Sequence, residues 1–405
     1  MQISTPLEGQ PLDVVHVPVG TLVLSRFLPA IEKALHGGPA ILPVPEQPAA
    51  VRDALLVAMQ PNIPVETSDD DGVAFVVPTS GSTGTPKGVL LGTAAIAASV
   101  NASHARLGGP GGWLLALPAT HIGGLMVLAR CVVAGTDLDA VDLTHGFTPG
   151  SFAAASKRFL RVATVRRYTA LVPSQLAVLL DAGEPTLEAL TAFDAVLVGG
   201  SSTQPELLDR ARAGGVKVVT TYGMTETCGG CVYEGTPLDG VRVETEGDGR
   251  IRIAGLILAH GYRLQPEQTA QSFTDGWFAS SDLGWLDEDG RLTVTGRIDD
   301  IAVSGGVNVP LPAVDALIAT HPGVAAIATV ALPDPLWGQR VVAVLVPRDP
   351  EDPPTLESVR SHLLGRAPAA YLPKDVVLVR SLPTLPGGKV DRPALVNRLL
   401  ETTTA

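Results

Sequence analysis

The densest chemistry in the chain lies in Thr79-Ser-Gly-Ser-Thr-Gly-Thr-Pro-Lys-Gly-Val89. Hydroxyl side chains and glycines crowd together there, so backbone N–H and side-chain O–H donors can converge on an anion, and glycine lets the backbone come close. Lys87 adds a charge suited to a phosphate. Pro86 precedes this lysine and Gly88 follows it, so the string is not a Walker A loop, which needs Gly before and Ser or Thr after. A second string, Thr221-Tyr-Gly-Met-Thr-Glu-Thr227, offers an aromatic face for a purine, a hydroxyl on Thr225 for a phosphate oxygen, and the Glu226 carboxylate for Mg²⁺, which prefers oxygen ligands. By itself it would read as an ordinary turn; its position after a phosphate loop gives it meaning. Third come Gly276-Trp-Phe-Ala-Ser-Ser-Asp-Leu-Gly284 and Gly296-Arg-Ile-Asp-Asp300. An Asp can accept from both hydroxyls of a ribose, and an Arg can add to that clamp. The fourth string is Leu385-Pro-Gly-Gly-Lys-Val-Asp-Arg392. A lone Lys between turn glycines is a surface residue unless its domain closes over a phosphate.

The elements that must position these strings alternate. Apolar runs at Val73–Val77, Trp113–Leu117, Tyr168–Val172, Ala195–Val198 and Val216–Thr220 read as strands. Helical patterns follow at Thr93–Arg106, Leu125–Val133, Gln175–Asp181 and Pro205–Ala213. The phosphate loop is expected between an apolar strand and an apolar helix, and the second string in a loop beginning at Thr221. Strands alternating with helices indicate α/β layering, with ligands at the loops after strand ends. After Thr236 the pattern changes to short alternating strands, Arg250–Ala254 and Arg291–Thr295, a small β section. A further unit reads helix Leu311–Ala319, strands Ala325–Ala331 and Arg340–Val346, helix Thr355–Leu364, strand Asp375–Val379 and helix Pro393–Leu400. The expected division is 1–296 as a large N-terminal α/β domain carrying the β section, and 297–405 as a small mobile α+β lid.

A chain of 405 residues suggests about two unequal domains. With 45% hydrophobic and 17% charged residues it can bury large cores, so disorder as the main state is excluded. The 43 Gly and 34 Pro follow no period and read as turns and loops. The net charge of −12 comes with no Lys/Arg stripe, so nucleic acid is not an expected partner. Leu107 to Ala129 carries no Asp, Glu, Lys or Arg, yet its glycines, prolines and His121 suit a buried strand, a turn and a helix start better than an integral membrane segment. The N-terminus lacks the basic region of a signal peptide, and Cys131, Cys228 and Cys231 cannot build a disulfide framework; a cytoplasmic protein is expected. Cys228-Gly-Gly-Cys231 has no second pair at zinc spacing. The sequence leaves a homo-oligomer open.

Taken in order, the four strings resemble the adenylate-forming superfamily of acyl-CoA synthetases, peptide-synthetase adenylation domains and luciferases, from about Val73 to Arg392. The resemblance implies that Ser80, Gly81, Ser82, Thr83, Gly84 and Lys87 form its phosphate loop. It places Tyr222 and Gly223 beside adenine, with Gly199, Gly200 and Ser201 in the adjoining wall. Thr225 and Glu226 take the phosphate and magnesium positions, and Asp282 and Arg297 clamp the ribose. Asp299 is the hinge, Lys389 the adenylation lysine, and Gly305 and Gly306 belong to the face shown to a thiol. The implied ligands are ATP, Mg²⁺ and coenzyme A. One departure stands out: many members carry Ile-Lys after the hinge acids, where this chain has Ile301-Ala302.

Finer details resemble the o-succinylbenzoate–CoA ligase branch, of the actinobacterial type: His121-Ile-Gly-Gly124, Leu171-Val-Pro-Ser-Gln-Leu176, Ser304-Gly-Gly306 and a short stretch before the phosphate loop. That branch implies a small aromatic dicarboxylate as substrate, met by His121 and Ser174. Arg130 is the candidate for the retained carboxylate, with Arg166 and Arg167 as alternatives. Another aryl- or acyl-CoA ligase, an enzyme loading a carrier protein, and a non-catalytic nucleotide-binding module are the competing expectations.

Overall fold

The computed structural model of the chain describes residues 9, 12–65, 72–80, 86–162, 166–384 and 390–403. It forms two compact units: Met1–Glu244 with Arg252–Ala279 and Asp287–Leu292, and Thr245–Ile251 with Ser280–Leu286 and Thr293–Ala405.

The first unit carries two sheets. A seven-stranded sheet runs in the order Thr236–Pro237, Gly229–Tyr233, Val218–Met224, Ala195–Val198, Arg166–Leu171, Gly111–Leu115, Leu138–Ala140. The last five strands are mutually parallel, and Gly229–Tyr233 turns back antiparallel to Val218–Met224. Their apolar side chains meet those of the flanking helices: Leu114, Phe152, Phe159, Phe193, Val196 and Val198 form one buried cluster. The uncharged stretch is a strand, Gly111–Leu115, buried at every position, followed by the helix Ile122–Ala134, buried from Gly124 through Cys131. Among the described residues no helix is long and apolar enough to cross a membrane. Beside it, Thr93–Arg106 buries Ala95, Ile96, Ser99, Val100 and Ser103, the three-and-four spacing of a helix face.

The second sheet of this unit has the order Leu12–Val17, Ala40–Pro45, Val73–Ser80, Pro86–Gly92, Gly261–Tyr262. Two expectations are corrected here. Pro86–Gly92 is a strand, paired antiparallel with Val73–Ser80 through Thr79↔Lys87 and Ser80↔Pro86. The phosphate string therefore reaches into two paired strands, and a strand stands between it and the helix, which begins at Thr93 as expected. Likewise the Tyr222 string does not start a loop: Thr221 to Met224 continue the strand, and the turn comes at Thr225–Thr227. Pro86, Gly88 and Gly92 in the first segment and Gly223 in the second are residue types depleted in strands. The pairing partners of these segments make them strands.

The small β section comprises Arg242–Thr245, Arg250–Ala254, Phe273–Thr274, Trp277–Leu286 and Leu292–Arg297. The second unit has its own sheet, in the order Val307–Pro310, Ile301–Ser304, Gly338–Pro347, Val324–Asp334, with Asp375–Leu378 on Gly338–Pro347. Helix Leu311–Ala319 lays Leu311, Val314 and Ile318 on one face of it, with Val341, Ala343 and Leu345. Helix Arg392–Thr403 brings Leu395 to Val342 and Val344. The fold is α/β with a smaller α+β unit.

Candidate active site

The parallel strands of the large sheet end together, and the motifs follow those ends. Gly199, Gly200 and Ser201 come after Ala195–Val198, and Thr225 and Glu226 after Val218–Met224, its neighbour. Leu171 leads into Ser174 in the first turn of Pro173–Asp181, and Leu115 into His121, the residue preceding helix Ile122–Ala134. This carboxyl edge is where open α/β sheets bind ligands. Gln175, not singled out in the sequence, ties two of these loops: its side chain accepts from Val172 N–H at 3.0 Å and donates to the Ala116 carbonyl at 2.9 Å.

Close approach explains two glycines. A Cβ on Gly199 would lie 2.2 Å from Thr221 Oγ1, and one on Gly223 would lie 2.1 Å from the Gly229 carbonyl oxygen. Gly199 thus packs on the side chain and carbonyl of Thr221, and Gly223 backbone against backbone on Gly229 and Gly230. Thr227 secures the turn after Tyr222, accepting from Met224 N–H at 3.0 Å and donating to the Gly229 carbonyl at 2.7 Å.

Glu226 and Lys87, far apart in sequence, meet across Tyr262. The Tyr262 hydroxyl donates to Glu226 Oε1 at 2.9 Å, and the Lys87 ammonium lies 5.2 Å from the ring centroid. Burial, and then the neighbouring Glu226 carboxylate, push the phenol up from its ordinary pKa, which keeps it a donor. No sequence signal marked Tyr262. A carboxylate and a hydroxyl at one turn, Glu226 and Thr225, are hard oxygen donors. Mg²⁺ takes one or two carboxylates plus phosphate oxygens and waters, so this donor set fits a magnesium nucleotide.

In the second unit Arg297 donates to Asp282 Oδ1 at 3.1 Å, so the two expected ribose-clamp residues are already paired. Gly305 and Gly306 have φ of +60° and +78°, the two-residue turn of the hairpin Ile301–Ser304/Val307–Pro310. Asp299 lies in the turn Ile298–Asp300. Beside it, Arg392 joins Asp300 at 3.4 Å to Asp315 at 2.5 Å. Gly81, Ser82, Thr83, Gly84 and Lys389 lie outside the described residues, and Ser80 closes its strand.

The candidate arginines are not at the strand ends. Arg166 and Arg167 begin the strand Arg166–Leu171, at the edge opposite the motifs, and Arg167 pairs with Asp194. Arg130 lies roughly 13 Å along the helix axis from His121. It is 3% exposed, its guanidinium 4.7 Å from the Trp113 ring centroid and within 3.4–3.5 Å of the Ser103 and Tyr233 hydroxyls. Its buried Nε has no partner, and no carboxylate pairs with it among the described residues. His121 is exposed, and the protein crowding its ring lowers its pKa.

Arg130 also acts on His104, which is 4% exposed and accepts from Trp113 Nε1–H at 3.3 Å. Burial, then the Arg130 charge, bring its pKa from 6.5 to about 4. Above pH 6.5 the histidine is neutral whether folded or not. As the pH falls from there toward 4, only the unfolded chain takes up the proton, and stability is lost. Urea unfolding is expected to show about 2 kcal/mol more loss between pH 7 and pH 5 in the wild type than in His104→Gln. Equal losses would mean that His104 is charged in the folded protein.

Residues 23–262 match the AMP-binding enzyme family. The chain belongs to that family. Residues 313–389 match the AMP-binding enzyme C-terminal domain. Among family members, a probable 2-succinylbenzoate–CoA ligase of Mycobacterium tuberculosis is 45% identical over 389 residues, which is 95% of this chain and 97% of that one. A sulfoacetate–CoA ligase of Cupriavidus necator is 32% identical, covering 82% and 69% of the two chains. The solved o-succinylbenzoate CoA synthetase of Bacillus subtilis, in complex with the acyl-adenylate intermediate, superposes with a TM-score of 0.73 at 25% identity, over 91% of this chain and 80% of that one. The AMP-binding enzyme match ends at Tyr262, the residue that joins Lys87 to Glu226.

Proposed function

We propose that the chain is an AMP-forming acid–thiol ligase that converts 2-succinylbenzoate to its CoA thioester. The observation that carries this reading is the 45% identity over 95% of the chain to the mycobacterial relative of that name. What supports it in the site is Lys87 and Glu226 brought together at Tyr262, and glycines in close contact beside Tyr222.

The first step joins a substrate carboxylate oxygen to the α-phosphorus of ATP and breaks the bond to the β-phosphate oxygen, releasing pyrophosphate. Lys87 and the donors of its string hold the phosphates, Thr225 donates to a phosphate oxygen, and Tyr222 packs on adenine. Bound Mg²⁺ would neutralise phosphate charge at Glu226. Lys389 stabilises the negative charge that develops during the transfer. In the second step the CoA sulfur bonds to the acyl carbon, the bond to AMP breaks, and the thiol proton goes to solvent. For that step the unit beginning near Arg297 turns about Asp299, withdrawing Lys389 and presenting Gly305 and Gly306.

CoA-dependent AMP release with a panel of acids tests the reading. 2-Succinylbenzoate is expected to exceed benzoate and sulfoacetate by at least about 100-fold in kcat/KM, because benzoate lacks the succinyl arm and sulfoacetate the aromatic ring, and each lost set of contacts raises the barrier. A preference for benzoates or sulfoacetate would replace the substrate and keep the chemistry. Pyrophosphate exchange with no acid at all would leave a nucleotide-binding module.

A further inference from the structure

Residues 259–263 are stitched to both motifs that the nucleotide site needs. Ala259 N–H donates to the Glu226 carbonyl at 2.9 Å, and Arg263 N–H to the Gly88 carbonyl at 2.7 Å. Between them Gly261 and Tyr262 pair with Leu90 and Val89, on the strand that carries Lys87. Gly261 sits at φ +138°, and a Cβ there would lie 2.2 Å from Thr269 Cγ2. Arg263 is 5% exposed, and its guanidinium donates to the carbonyls of Met59, Gln60 and Ile63. The backbone of Tyr262 is therefore fixed on both sides. Its ring packs edge-on against Phe273 at 5.7 Å.

We propose that Tyr262 is a positioning residue that holds the Glu226 carboxylate and the Lys87 ammonium apart, each oriented for a magnesium nucleotide. The proposal rests on the reading of Glu226 as the metal-facing carboxylate. Without a divider, a lysine and a glutamate in one site would pair and cancel the charges that metal and phosphate require. The ring takes the ammonium on its face, and the hydroxyl takes Oε1, which sets the plane of the carboxylate. Mg²⁺ tolerates little distortion in its ligand shell, so a locked carboxylate matters more to it than to a flexible cation.

Tyr262→Phe keeps the ring and its packing and removes only the O–H donor. ATP binding is measured by calorimetry in EDTA and across a Mg²⁺ titration, and pyrophosphate exchange across the same titration. The variant is expected to bind ATP in EDTA as the wild type does. Its Mg²⁺-dependent gain in ATP affinity should fall by about 10-fold or more, with half-saturating Mg²⁺ raised similarly and kcat recovering at high Mg²⁺. Tyr262→His returns a ring N–H and should recover part of the gain; it carries the comparison should the Phe variant fold poorly. Equal losses in EDTA and in Mg²⁺ would make Tyr262 a packing residue and overturn the proposal, as would an unchanged gain in both variants. Glu226→Gln separates the two levels. If it lowers the Mg²⁺ gain while Tyr262→Phe does not, the reading of Glu226 stands and the proposal fails. If it keeps the full gain, the reading of Glu226 fails and the proposal falls with it.

Discussion

Lys389→Ala is expected to slow acyl-adenylate formation by about 10²- to 10³-fold, the cost of removing one preorganised donor from a developing charge. Thioester formation from preformed acyl adenylate should be nearly unchanged. The asymmetry follows from where charge appears. In adenylation, negative charge builds on the α-phosphate and on the departing pyrophosphate, and an ammonium aimed there lowers the barrier. In thiolysis the leaving group is AMP and the attacking atom is sulfur, so the same ammonium contributes only if it stays in place. Acid-dependent pyrophosphate exchange reads the first half-reaction, and CoA consumption with synthetic acyl adenylate reads the second. Equal loss in both would contradict a lysine that serves one step and is then withdrawn.

Gly223→Ala should cost about 3 kcal/mol of stability and most of the affinity for ATP. Its Cβ would fall 2.1 Å from the Gly229 oxygen and 2.7 Å from Gly230 Cα, both backbone atoms. A side chain could rotate away; the paired strands Val218–Met224 and Gly229–Tyr233 can only separate. Gly223 faces Gly230 in that pair, between Tyr222 and the turn holding Thr225 and Glu226, so separation displaces the proposed adenine wall and the proposed phosphate donor together. Denaturant unfolding and ATP calorimetry measure the two effects. Gly150→Ala is the control: nothing lies within 4 Å of a Cβ there, and its stability should be unchanged or slightly raised. A Gly223→Ala protein with wild-type stability and ATP affinity would mean that these strands do not carry the nucleotide site.

What the sequence determined by itself is chemistry and periodicity. Thr93–Arg106, Ala195–Val198, Pro205–Ala213, Arg250–Ala254 and Leu311–Ala319 have in the structure the bounds that their patterns predict. Helix faces and buried strands are written in neighbouring residues. The uncharged stretch is legible for the same reason: a strand buried at every position and a helix buried from Gly124 through Cys131 need no polar face there. The motif strings supplied the types of contact available, hydroxyls and lysine for phosphate, carboxylate for Mg²⁺ and aromatic for base.

Only the tertiary structure decided which strings are strands and which distant groups touch. Pro86–Gly92 carries a proline and two glycines and the stretch through Met224 carries Gly223, yet both are extended because each has a partner strand to satisfy its backbone groups. Tyr262 is invisible in the sequence because its significance is a relation: one bond to Glu226 and one face to Lys87. Arg263 holds carbonyls some 200 positions away in the chain. Arg130 shows the converse. Its type and its place near His121 suggested a substrate anion, whereas the helix carries it away from the strand ends and onto Trp113. Residue type fixes what a side chain can bind, but the distance between two side chains depends on every element packed between them.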